Sequence, residues 1–235
     1  MIRAESKLPA ESGKPDGTTV KTMILIFRMS LLLNMIMPAF AERDREYWSK
    51  CSFDVPISRK ISYVLKPEWR FKNEMSNNYL FKIEQGVAFQ FNKYLELAPY
   101  YIRQKIESAG KSDTSDMMYI DMTGKIPFKK IFDFRIINRL RYQYNFDKKF
   151  TVWRNSTKLA KGFQIGKFET SPFIENEMFY NTSLNKVNQN QASIGISLAL
   201  NKHVNVAASY VLDAKNKGND WIYADVLLTS VGIKF

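Results

Sequence analysis

Four arginines and two glutamates hold most of the chemistry that this sequence offers. Arg135, Arg139 and Arg141 recur in "RIINRLR", Arg154 follows in "WRN", and Glu175 and Glu177 stand two residues apart in "IENEM". Carboxylates at i and i+2 share one face of a strand, and a pair so placed can do acid–base work. Beside four guanidiniums, pairing to arginine is the stronger expectation, since such pairs satisfy each other's charge in a narrow space. Two roles follow for the cluster. One is an ion-pair lattice that stiffens its surroundings. The other is a passage or binding site for an anionic or amphiphilic solute.

The remaining chemistry is sparse. Cys51 is the one cysteine and His203 the one histidine, so neither an intramolecular disulfide nor a multi-histidine metal site is available. His203 sits in "NKHV", which reads as a solvated turn. Ser193, Ser197 and Ser209 read as small inward residues rather than nucleophiles. No catalytic residue, metal or cofactor is expected. Net charge is +12, which suits nucleic acid or an anionic surface as readily as compositional bias. In "RLRYQYNF", however, basic and aromatic residues alternate, which sends them to opposite faces of a strand. A base-stacking platform needs them together. No nucleic-acid partner is expected.

What must position these groups is a set of strands. From Ile61 on, the chain is dominated by period-2 alternation. Tyr79, Phe81 and Ile83 oppose Lys82 and Glu84. Met118, Ile120 and Met122 oppose Tyr119 and Asp121. Phe132, Phe134 and Ile136 with Leu140, Tyr142 and Tyr144 oppose Asp133, Arg135, Arg139 and Arg141. Ten such segments are read, several close to the ~9–11 residues that cross a bilayer at a tilt. The polar faces together predict an inward set with both signs of charge, including Lys66, Glu68, Arg70, Lys82, Glu84, Asp121, Lys158 and Lys234. Connectors read as alternately tight (Asn92-Lys93, Lys129-Lys130, Asn201-Lys202) and long (Asn73–Asn78, Glu107–Ser115, Asn145–Phe150, Thr182–Asn190, Ala214–Asp220). That pattern predicts short turns at one end of a barrel, long loops at the other, and both termini at the short-turn end. Asp225 is the exception on the apolar face. Its distance from Phe235 predicts a position at the far edge of the apolar band.

Two terminal features point the same way. Met23–Ala41 has a charged start, an apolar middle and an Ala39-Phe40-Ala41 cleavage pattern, the layout of a secretory signal preceded by an upstream extension. The last residues, "VGIKF", place Val231, Ile233 and Phe235 on one apolar face and end on an aromatic. This is the form of the C-terminal signal read by barrel-assembly machinery.

The stretches "NRLRYQY", "WRN" and "PFIENEMFYN" resemble an uncharacterised family of bacterial outer-membrane proteins, known as domain of unknown function 2490. The resemblance spans roughly Ile61–Phe235. It implies a β-barrel in the outer membrane of a Gram-negative bacterium and brings no activity with it. The expected organisation is an extension with a cleaved signal over 1–41, a periplasmic lead-in over 42–60, and an all-β, antiparallel transmembrane barrel over 61–235. Ten strands are expected, with eight or twelve as alternatives. The expected role is structural, solute-binding or transport, without enzymatic activity. The expected partners are outer-membrane lipid, lipopolysaccharide, the assembly machinery and a small solute. The rival classes are an outer-membrane enzyme acting on lipid or lipopolysaccharide, and a secreted, soluble lipocalin-like barrel with an apolar interior.

Overall fold

Alternating Val, Ile, Tyr, Phe and Trp favour extended backbone, and a strand so patterned must put one face against something apolar and the other against something polar. The computed structural model describes residues 43–108, 110–128, 134–166, 168–218 and 220–235. The expected export signal, with Ala39 and Ala41, lies outside them, as do residues 129–133, with Phe132, Asp133 and the expected tight connector Lys129-Lys130. The strands are β1 (Asp44–Pro56), β2 (Ile61–Lys72), β3 (Asn77–Asn92), β4 (Leu95–Ser108), β5 (Lys111–Phe128), β6 (Phe134–Asn145), β7 (Phe150–Lys161), β8 (Phe163–Ile165), β9 (Phe168–Asn181), β10 (Lys186–Ala199), β11 (Val204–Lys217) and β12 (Asp220–Lys234).

Among the described residues, eleven of these strands close a ring in chain order, and β1 pairs with β12 to seal it. The short β8 adds no member to the ring. It takes up pairing with the start of β9 where β7 leaves off, after a break at Gly162. All neighbours in the ring are antiparallel except β1 and β12. An odd number of up-and-down strands forces that exception, because first and last must then run the same way. It also sets Asp44 and Lys234 at opposite ends, here termed the amino and carboxy ends. The expected ten strands and shared terminal end are therefore corrected.

The missing strand is β1, which the sequence reading took for part of a lead-in. It pairs with β2 from Tyr47↔Phe71 to Pro56↔Ser62 and with β12 from Asp44↔Ala224 to Asp54↔Lys234. Trp48 obscures its alternation. It points inward, is 1% exposed, and so puts the largest apolar side chain on the otherwise polar face.

The expected long loops are also corrected. Glu107–Ser115 is mostly strand, with β4 running to Ser108 and β5 starting at Lys111. Thr182–Asn190 shrinks to a turn ahead of β10, and Ala214–Asp220 to one between β11 and β12. Strand residues beyond the apolar band are polar on both faces, so they read as loop. The left-handed backbone at Gly110 and Gly218 closes two of these hairpins without side-chain strain.

Strand tilt follows from the register. Paired residues run Ala224, Asp213, Gln191, Glu177, Ser156, Arg139, Thr123, Glu96, Gln90. This row starts near the amino end and finishes at the carboxy end, a climb that matches a tilt of about 40–45° in a closed barrel. Its members from Asp213 to Gln90 are all polar.

The polarity is that of a globular protein reversed. Glu68, Glu84, Asp121, Arg141 and Glu177 are buried, while Ile83, Phe89, Ile120, Met122, Trp153, Ile174, Ile194 and Leu227 are exposed. The apolar-interior alternative fails on this observation. The outer band is interrupted on β6, β7, β9 and β10, where amides meet laterally. Asn138 donates to Thr157 Oγ1 at 2.9 Å and Asn176 to Asn190 Oδ1 at 2.9 Å. Asp225 also faces outward, near the amino end as expected, but it is 5% exposed. It accepts the Tyr210 hydroxyl at 2.5 Å and lies 3.7 Å from Arg43 Nη1.

The C-terminal strand is held to its last residues. Phe235 N–H donates to Asp54 C=O at 3.0 Å, Lys234 N–H to His203 C=O at 2.7 Å, and His203 Nδ1–H to Lys234 C=O at 2.7 Å. The histidine turn thus anchors the seam.

Candidate functional site

The charged side chains inside the ring come from alternate positions on β2, β3, β5, β6, β7 and β9, so the pleat alone aims them at one another. They form a lattice. Arg141 grips Asp121 through both oxygens, at 2.6 and 2.8 Å, with both side chains buried. Its guanidinium carbon also lies over the Tyr119 ring, 3.5 Å from the centroid. Tyr119 donates to Glu84 and stacks on Tyr100 at 4.7 Å. Glu84 takes Lys82 at 2.6 Å, and Lys82 also reaches Glu68 at 2.9 Å. Glu68 in turn accepts Arg70 at 2.6 Å, whose guanidinium covers Trp48 at 3.7 Å. Buried charges satisfied from several sides in this way avoid the cost of an isolated ion.

A second knot lies across the interior. Glu177 Oε1 accepts Arg139 at 2.7 Å and Arg154 at 2.9 Å. Glu175 accepts the Ser156 hydroxyl at 2.5 Å and sits 3.5 Å from Lys158. The two glutamates therefore face arginine, serine and lysine. Ser193 and Ser197 donate to backbone carbonyls of β9, at 3.4 and 3.2 Å.

The knots surround a cavity of about 550 Å³. Its walls include Lys66, Arg139, Lys158 and Glu175, with Leu228 and Ile137 as apolar surface. Toward the amino end it is floored by packed side chains. Ile102, Met117 and Phe179 are buried there, and Glu46 accepts both Trp48 Nε1–H and the Tyr79 hydroxyl at 2.7 Å. Toward the carboxy end its lining continues to Ser52, Glu96, Asn205 and Gly232. The cavity is a pocket approached from the carboxy end.

Five of the six cluster residues foreseen from sequence, Arg139, Arg141, Arg154, Glu175 and Glu177, meet on this cavity. Arg135 does not. It lies four residues nearer the carboxy end of β6 than Arg139, is exposed, and donates to Ser171 Oγ at 3.3 Å. Lys234 is likewise exposed at that end. Sequence reasoning missed Trp48 and Lys50, because β1 was not recognised. It placed Tyr100 and Tyr119 on the inward face but gave them no part in holding the charges. Their signal was available: a tyrosine on a face otherwise made of Glu, Asp and Arg.

No match to a curated protein was found. A family match covers residues 45–223, from the start of β1 into β12. On that match the chain belongs to the family described as Protein of unknown function (DUF2490).

Proposed function

We propose that the chain is an outer-membrane β-barrel that holds a small solute in its charged interior. The observation that carries this reading is the reversed polarity. An exposed band of Phe, Tyr, Ile, Met and Leu around a ring with ion pairs inside is costly in water and favourable in a bilayer, where closure also leaves no strand edge unpaired. The alternating apolar face of Val231, Ile233 and Phe235 along β12 and just after it is the surface assigned to the assembly machinery in this proposal, and the floor of packed side chains favours holding a solute over passing one. Lipid and lipopolysaccharide are then the surroundings of the outer face. The carboxy end, with its pocket mouth, is taken as periplasmic.

The test is to separate inner and outer membranes, then run the protein unboiled and boiled on a denaturing gel, with and without Phe235. The proposal expects outer-membrane recovery, a mobility shift on boiling and poorer assembly without Phe235. In planar bilayers it expects little or no steady conductance. Recovery as a soluble periplasmic protein with no shift would refute the membrane reading, and large ohmic steps would refute the closed floor.

A further inference from the structure

We propose that the pocket binds a small organic oxyanion with an apolar body, its charged head between Lys66 and Arg139 and its body against the apolar surface of Leu228 and Ile137. This deepens the solute-holding reading and does not depend on the membrane one.

The argument begins with which cations are left over. Of the charged side chains on the cavity, eight are Lys or Arg and six are Asp or Glu. Arg70, Arg141, Arg154 and Lys82 are held by carboxylates within 3 Å. Lys66 has no carboxylate oxygen within 4 Å among the described residues. Its ammonium lies over the Tyr100 ring, 3.9 Å from the centroid, which leaves its N–H donors free to turn to the cavity. Arg139 spends one terminal nitrogen on Glu177, while Nη1 makes no hydrogen bond among the described residues and the side chain is 28% exposed. An oxyanion supplies what both groups lack, since its oxygens only accept.

The rest of the pocket selects the remainder of the ligand. Leu228 and Ile137, both half-buried, give the cavity apolar surface on β12 and β6, and Trp48 packs beside Leu228 as its cross-strand partner. The volume, about 550 Å³, falls within the usual range for pockets of small organic molecules. At the carboxy end, Arg135 has no carboxylate oxygen within 4 Å among the described residues and adds positive potential at the approach. A cationic ligand of the same shape would meet the surplus positive charge instead.

Trp48 reports on the site through Leu228, its partner across the seam. With Trp69, Trp153 and Trp221 changed to Phe, it remains the single tryptophan. The full barrel, folded in detergent micelles, is titrated with phenyl phosphate and separately with benzylammonium, following Trp48 emission. Phenyl phosphate is expected to give a saturable change and benzylammonium none. Lys66→Met is expected to weaken phenyl phosphate by about tenfold, and Lys66→Arg to keep it within about threefold. Equal binding of the two ions, no saturation with phenyl phosphate, or an unchanged affinity in Lys66→Met would each overturn the site. The contrast between the two ions is read on the Lys66 protein, so it decides the matter even where the Met variant does not fold. Anion binding by a protein that fractionates as soluble would keep this site and remove the membrane proposal. A heat-modifiable outer-membrane barrel that ignores phenyl phosphate would do the opposite.

Discussion

Arg141 holds both oxygens of Asp121 and covers the face of Tyr119. Removing it leaves Asp121 charged and buried. Arg141→Met is expected to cost about 3–5 kcal/mol in urea unfolding of the folded barrel, while Arg141→Met with Asp121→Asn recovers part of that loss. A double variant as unstable as the sum of its singles would show that the pair is not coupled. Gly86 makes a different demand. A Cβ there would strike the Pro99 carbonyl and lie 2.5 Å from Tyr100 Cδ1, because the tyrosine ring lies flat across β3. Gly86→Ala is expected to reduce folded yield, read as the heat-shifted band, and Tyr100→Ala in the same chain should leave the yield low, because the Pro99 backbone carbonyl still blocks the new Cβ. At this scale the sequence was informative wherever alternation was clean. Glu68, Glu84, Asp121 and Arg141 were placed inward by parity alone. Which cation would pair with which acid was not readable, because partners such as Glu177 with Arg139, or Tyr119 with Glu84, meet across strands separated by 35 or more residues.

Among the elements, β1 is the one whose role departs furthest from its sequence. It supplies one wall of the seam through eleven paired positions with β12, from Asp44↔Ala224 to Asp54↔Lys234. Deleting Asp44–Pro56 is expected to abolish the heat-shifted band, since β2 and β12 would both be left as open edges. Retention of the band would mean that the ring can close on ten strands and that β1 is the dispensable lead-in its sequence suggests. Strand ends were misjudged for a related reason. "ESAGKSDTS" is polar on both faces, which in a globular protein means a loop. Here it forms a hairpin that extends past the apolar band, where both faces are polar.

For the whole molecule, the outer surface makes the sharpest claim. Met122 is exposed near the middle of the band and Ile126 nearer the carboxy end of the same strand. Arginine at Met122 is expected to cost about 2–4 kcal/mol of folding free energy in lipid vesicles, and arginine at Ile126 about 0–1 kcal/mol. Equal, small effects at both depths would mean that water, not lipid, meets this surface. The barrel class and its polarity were legible because alternation recurs in every long strand from β2 to β12. The ring's odd membership was not, because parity depends on the one strand whose inward face carries a tryptophan among the charges.

The parallel seam has a topological consequence. In the proposed membrane, eleven strands would carry the chain from one side to the other. A peptide tag fused just before Asp44 and another fused after Phe235 should therefore lie on opposite faces of a membrane that the ring spans. In intact cells, an antibody or a protease added from outside would reach one tag and spare the other, whereas an even-stranded ring would expose both or neither.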